Sequence, residues 1–181
     1  VVREARATGE AGQAEDTGRL MKQAVSFAPG DVVPRLVLGG SLLNGARAEE
    51  DPAMKLPLLL EAYETIKPVL ERNPMEFRSR WTAAEISADI MLLDPMFVPT
   101  AVRNREVDAA ISPWLWKPRV SLSRTLFQVG LLDEAQEALN GALELGAGSE
   151  NRDVLYLEER IQFERANIMS APETIQPSGT Q

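Results

Sequence analysis

One fixed spacing recurs along this chain and limits what it can fold into. Pro29, Pro74 and Pro113 are each followed six residues later by an arginine (Arg35, Arg80 and Arg119), and Gly146 is followed at the same distance by Arg152. Three residues beyond each arginine stands Leu38, Ala83, Leu122 or Leu155. Counting backwards, a small residue precedes each proline by twelve: Thr17, Ala62 and Ala101. A helix breaker that returns in register with an arginine and a core position implies a structural unit used several times. The breaks lie 45, 39 and 33 residues apart, so the units differ in length.

Between the breaks the pattern is helical. Residues Leu20, Met21, Ala24, Val25 and Phe27 line one side of a segment that stops at Pro29-Gly30. Leu59, Ala62, Tyr63, Ile66, Val69 and Leu70 do the same in the next, where Pro68 is expected to bend or shorten the helix. "RSRWTAAEISADIMLL", "SLSRTLFQVG" and "RDVLYLEERIQFERANI" read alike. "DEAQEALNGALELG" opens on acidic residues behind Gly130, as a helix N-terminus favours, and ends on Gly146. Sustained apolar–polar alternation is missing, and no Asn-Gly or Asp-Gly pair joins two strand-like runs, so strands are not expected.

The segment "RVSLSRTLFQVGLLDEAQEALNGALELG" resembles the tetratricopeptide-repeat family. Leu122-Ser123, Leu126, Gly130, Ala135, Leu139 and Ala142 follow the family's order of Leu-Gly pair, large apolar residue, turn glycine and small–large–small ladder. Leu38-Gly39 with Leu42 matches the first half of that pattern, and Ala62, Ile66 and Val69, closed by Pro74, match the second. Between them "RAEEDPAMKLP" reads as an acidic surface insertion of about eleven residues, expected to tolerate deletion of Glu49 to Asp51. The third unit keeps Ala83-Ala84 and Ala101 but carries Arg105 and Asp108 where apolar residues are expected. Small residues let antiparallel helices approach closely while leucines fill the space between them. A single pair cannot bury its own apolar face, so neighbours must stack. The expected fold is all-α, a short right-handed α-solenoid of antiparallel helix pairs with inter-helix insertions. It is expected over residues 1–169, with a flexible polar tail at 170–181.

Chemistry is constrained mainly by what the chain lacks. It has no histidine and no cysteine, which removes imidazole bases, thiol nucleophiles, disulfides and nitrogen- or sulfur-ligated zinc. Its net charge is −8 and no lysine–arginine run stands out, which argues against nucleic acid as a partner. No stretch approaches the roughly 18 apolar residues of a membrane span. No catalytic residue, metal site or cofactor is expected. Val1 in place of a methionine suggests a processed product.

The resemblance implies that the first helix of each pair lines a surface that grips a protein or peptide. Carried onto this sequence, that surface comprises Val33, Leu36, Gly40, Leu43 and Asn44, then Arg78, Trp81, Glu85 and Asp89, then Lys117, Val120, Arg124, Phe127 and Gln128. Trp81 and Phe127 packed internally is the alternative reading. Glu85 and Asp89, one turn apart, could in principle hold a cation or perform acid–base work, but no second pair supports them. In "SPWLWKPR" the prolines mark the joint between two helices. Trp116 is expected to be structural there and Trp114 to be a surface contact. The function expected is a non-enzymatic interaction or scaffold module, an accessory subunit of a larger, membrane-associated bacterial complex with a lean to the periplasm. The alternatives are the soluble repeat tail of a membrane polysaccharide polymerase or ligase and, last, a carboxylate enzyme.

Overall fold

The structure is a computed structural model that describes residues 18–148 and 150–170. The sequence match at Thr17 and the tail, Ser170 excepted, lie outside the described residues. The described residues contain eight α-helices: α1 (residues 18–27), α2 (Val32–Ala48), α3 (Pro52–Arg72), α4 (Phe77–Met91), α5 (Val98–Ile111), α6 (Trp116–Gln128), α7 (Leu132–Glu144) and α8 (Arg152–Ser170). A short 3-10 turn, Pro95–Phe97, leads into α5. Helices pack as sequential antiparallel pairs, α2 with α3, α4 with α5 and α6 with α7. The chain divides into two compact units between Pro113 and Trp114, inside "SPWLWKPR".

Local chemistry sets the helix ends. Asp31 and Asp51 cap α2 and α3 by accepting from the N–H groups of Val33 at 3.1 Å and Ala53 at 2.9 Å, with Pro52 at the first position of α3. Glu76 caps α4 by accepting from Arg78 at 3.3 Å and Ser79 at 2.6 Å. Gly130 and Gly146 take the left-handed conformation, φ 82° and 87°, that ends α6 and α7. The recurring arginine has a purpose too. Arg35 Nε donates to the Pro29 carbonyl at 3.0 Å and Arg80 Nε to that of Pro74 at 2.6 Å, so each arginine clamps the turn that precedes its helix. Arg119 lies instead against Gly141.

One sequence expectation needs correction and a second is narrowed. The acidic insertion is mostly helix, because residues 52–57 form the beginning of α3 and only Glu49 to Asp51 link it to α2. Pro57 and Pro68 both lie inside α3, which continues to Arg72. Burial of Leu59, Ala62, Ile66, Val69 and Leu70 on both sides of Pro68 outweighs the hydrogen bond that the proline forfeits.

Close helix contact is achieved differently in each pair. In the first unit Gly39 on α2 sits so near α3 that a Cβ there would lie 2.7 Å from Ile66 Cδ1. In the next pair Ala84 and Ala101 are fully buried. In the second unit Ser123 occupies the glycine place, and its hydroxyl donates to the Ala135 carbonyl at 2.7 Å across α6 and α7. Leu43, Leu59, Ile66, Ile86 and Ile90 centre the first unit's core. Leu139, Val154, Leu157 and Ile161 are buried in the second unit, where α8 packs on α7 and α6.

Candidate functional site

In the first unit, α2 and α4 leave one face in solvent. Val33, Val37 and Asn44 on α2 are exposed, as are Phe77 and Arg78 on α4, and Trp81 retains 52% of its surface. Large apolar side chains left in water beside an arginine are the composition of a protein-binding patch. Leu43 drops out of the expected set: at 6% exposure it belongs to the core, one turn beyond Gly39, and Leu36 packs against the same cluster. Gly40 is half-buried.

Glu85 and Asp89 have another task. Arg47, near the end of α2, donates from Nη2 to Glu85 Oε2 at 2.8 Å and from Nε to Asp89 Oδ2 at 2.6 Å. Arg105 on α5 reaches Glu85 Oε1 from the other side at 2.7 Å. The pair therefore ties α2, α4 and α5 together. Burial pushes the Glu85 carboxyl up, but Arg105 and Arg47 outweigh it and hold it below the usual carboxylate value. The bond to Asp89, and then the one to Glu85, raises the Arg47 guanidinium against the opposing effect of burial. Glu85, held between two guanidiniums, is a poor proton acceptor, and Asp89 is engaged by Arg47, so the pair is built as a brace between helices. Among the described residues no cluster of three or more acidic side chains is placed to hold a metal ion.

In the second unit the expected residues are spread more widely. Trp114, 69% exposed, stands in the turn before α6, and Trp116, half-buried, begins the helix with the Lys117 ammonium 5.7 Å from its ring centre. Arg124 pairs with Asp153 of α8 at 3.2 Å. Phe127 is half-buried beneath the Arg160 guanidinium, 5.8 Å from its ring centre, and Gln128 is exposed. Val120 is buried on the inner side of α6 and is no part of a surface. Sequence reasoning missed Arg47 and Arg160, which carry no local motif and acquire their roles from helices far along the chain.

No protein-family model matches the sequence, and no curated protein does. Solved structures do. TTC0263, a thermophilic TPR protein of Thermus thermophilus, is 20% identical, with a TM-score of 0.62 over 90% of this chain and 78% of its own. MamA from residue 41 onwards of Desulfovibrio magneticus RS-1 is 15% identical, with a TM-score of 0.61 over 94% of each chain. A further MamA structure, 13% identical, has a TM-score of 0.61 over 90% of this chain and 95% of its own. With Gly39, Ala84 and Ser123 each at the close contact of an antiparallel pair, the fold of this chain is the tetratricopeptide-repeat fold.

Proposed function

We propose that the chain is a non-enzymatic protein-interaction module whose partner contacts centre on Trp81 in the first unit. The observation that carries this is the α2–α4 face, where Val33, Val37, Phe77 and Trp81 stay in solvent beside Arg78. Tryptophan and arginine are the residues on which binding energy most often concentrates. Trp114 and Gln128 are the corresponding contacts of the second unit, whereas Glu85, Arg124 and Phe127 support the surface through their ion-pair and ring contacts. The finer reading is an accessory subunit of a larger, membrane-associated assembly. None of the described helices is long and apolar enough to cross a membrane.

Co-purification from native cells followed by mass spectrometry tests both readings. The parent chain is expected to retain a defined protein that Trp81→Ala and Arg78→Glu each lose by tenfold or more, with melting curves unchanged. Retention of the same protein by both variants would remove the patch from the binding surface. Partner peptides drawn only from soluble proteins would overturn the membrane-associated assignment.

A further inference from the structure

The polar face of α5 is built unlike the rest of the core. Arg105, Asp108 and Ser112 stand at i, i+3 and i+7, which places them along one side of the helix, and all three are buried. Buried polar atoms nearly always find a hydrogen-bond partner. Here both carboxylate oxygens of Asp108, the Ser112 hydroxyl, and Nε and Nη1 of Arg105 have none within the protein. The remaining Arg105 nitrogen, Nη2, is the one bound to Glu85. A single guanidinium thus lies between a carboxylate that it holds and a second, one turn along its own helix, that it does not. Burial pushes the Asp108 carboxyl up to about 6, with Arg105 opposing and Glu85 reinforcing the rise.

We propose that this cluster is a proton-linked clamp in which Asp108 decides how firmly Arg105 holds Glu85. With Asp108 protonated, Arg105 serves Glu85 alone, the arrangement seen in the structure. When Asp108 loses its proton, the new anion is buried beside a guanidinium with two unused donor nitrogens, Nε and Nη1. Coulomb attraction in so poorly solvated a place is strong, and the side chain is drawn towards Asp108. Glu85 then depends on Arg47, which it shares with Asp89. The charged groups that act on Asp108 are Arg105 on its own helix and Glu85 on α4. The 3-10 turn packed against α5 carries only Pro95, Met96 and Phe97. Tyr63 of α3 bonds the neighbouring Asn104 instead. Glu85 lies one turn beyond Trp81 on α4, so the exchange reaches the exposed face. Its effect on binding rests on the interaction reading above, whereas the exchange itself does not.

Carbon-13 NMR of side-chain carboxyls in the isolated protein, titrated from pH 4 to pH 8, reads both groups. Asp108 is expected to titrate near pH 6, and the Glu85 carbon to show an inflection at that same midpoint. Asp108→Asn, which mimics the protonated form, should abolish the Glu85 inflection; Asp108→Ser serves the same purpose should the amide crowd the site. A Glu85 signal flat through the Asp108 midpoint, an inflection that survives both variants, or an Asp108 titration near pH 4 would each overturn the clamp. Loss of the inflection leaves the Trp81 co-purification result untouched, and the reverse also holds, so the two ideas fail separately.

Discussion

At Gly39 it is the missing side chain that matters. An alanine there would gain about 1 kcal/mol of helix propensity, yet its Cβ would come within 2.7 Å of Ile66 Cδ1 and 2.8 Å of Cγ1. Ile66 is fully buried and has little room to yield. Gly39→Ala is therefore expected to destabilise the protein by about 1–3 kcal/mol. Combined with Ile66→Val it should cost less than the two single changes added together, because valine removes the clashing Cδ1. Denaturant unfolding of the four proteins checks this; strict additivity would mean the helices are not in contact there. This contact was legible in the sequence, since the Leu38-Gly39 spacing marks it. The ion network was not. Arg47 pairs with carboxylates 38 and 42 positions away, and Arg105 with one 20 positions away, and such a separation leaves no periodic trace. Arg105 and Asp108 read as departures from the repeat, and one of them proves to be a brace between helices.

Whole helices meet through links too short to shorten further. Glu49 to Asp51 alone turn the chain from α2 into α3: Glu49 closes α2, its carboxylate accepts from the Asp51 N–H at 3.0 Å, and Asp51 caps α3. Deleting the three residues is expected to abolish cooperative melting of the first unit by circular dichroism, where a true insertion would leave the midpoint within a few degrees. The sequence obscured this because the family pattern does not extend to Pro52, so the added first turns of α3 looked like loop. The start of α6 separates its two tryptophans in a similar way. Trp114→Ala should change stability by no more than about 0.5 kcal/mol. Trp116→Ala should cost about 1–3 kcal/mol, less than a fully buried indole, since the ring keeps part of its surface in water. Iodide quenching of single-tryptophan variants checks the exposures, and protection of Trp114 would contradict them.

For the molecule as a whole, acid stability carries two opposed signatures. Asp108 has a folded value of about 6, above the ordinary 3.8. Its contribution is therefore complete below pH 4 and is lost as pH rises through 6. Glu85 and Glu76 behave in the opposite sense. Burial opposes ionisation in both, but the arginines around Glu85, and Ser79 and Arg78 at Glu76, hold each below the ordinary value. Their contributions are present above about pH 4.5 and fall away as pH drops through the folded values. Thermal stability should thus rise from pH 7 towards about pH 5 and decline below about pH 4, and Asp108→Asn should remove the rise while leaving the decline. A second expectation concerns the division at Pro113. Trp81 is the first unit's sole indole, while Trp114 and Trp116 belong to the second. A Trp114→Phe, Trp116→Phe chain consequently emits from the first unit only. Ala135 is fully buried in the second unit, so adding Ala135→Arg should cost several kcal/mol there, whereas Glu137→Arg, on an exposed position, should be neutral. Gln136, half-buried and bonded to Asn140 and Gln162, would be the wrong control. If the units open independently, the Trp81 emission curve keeps its midpoint while far-ultraviolet ellipticity loses the contribution of three helices at lower denaturant. The boundary inside "SPWLWKPR" would then confine damage, with a lesion on one side invisible to the lamp on the other.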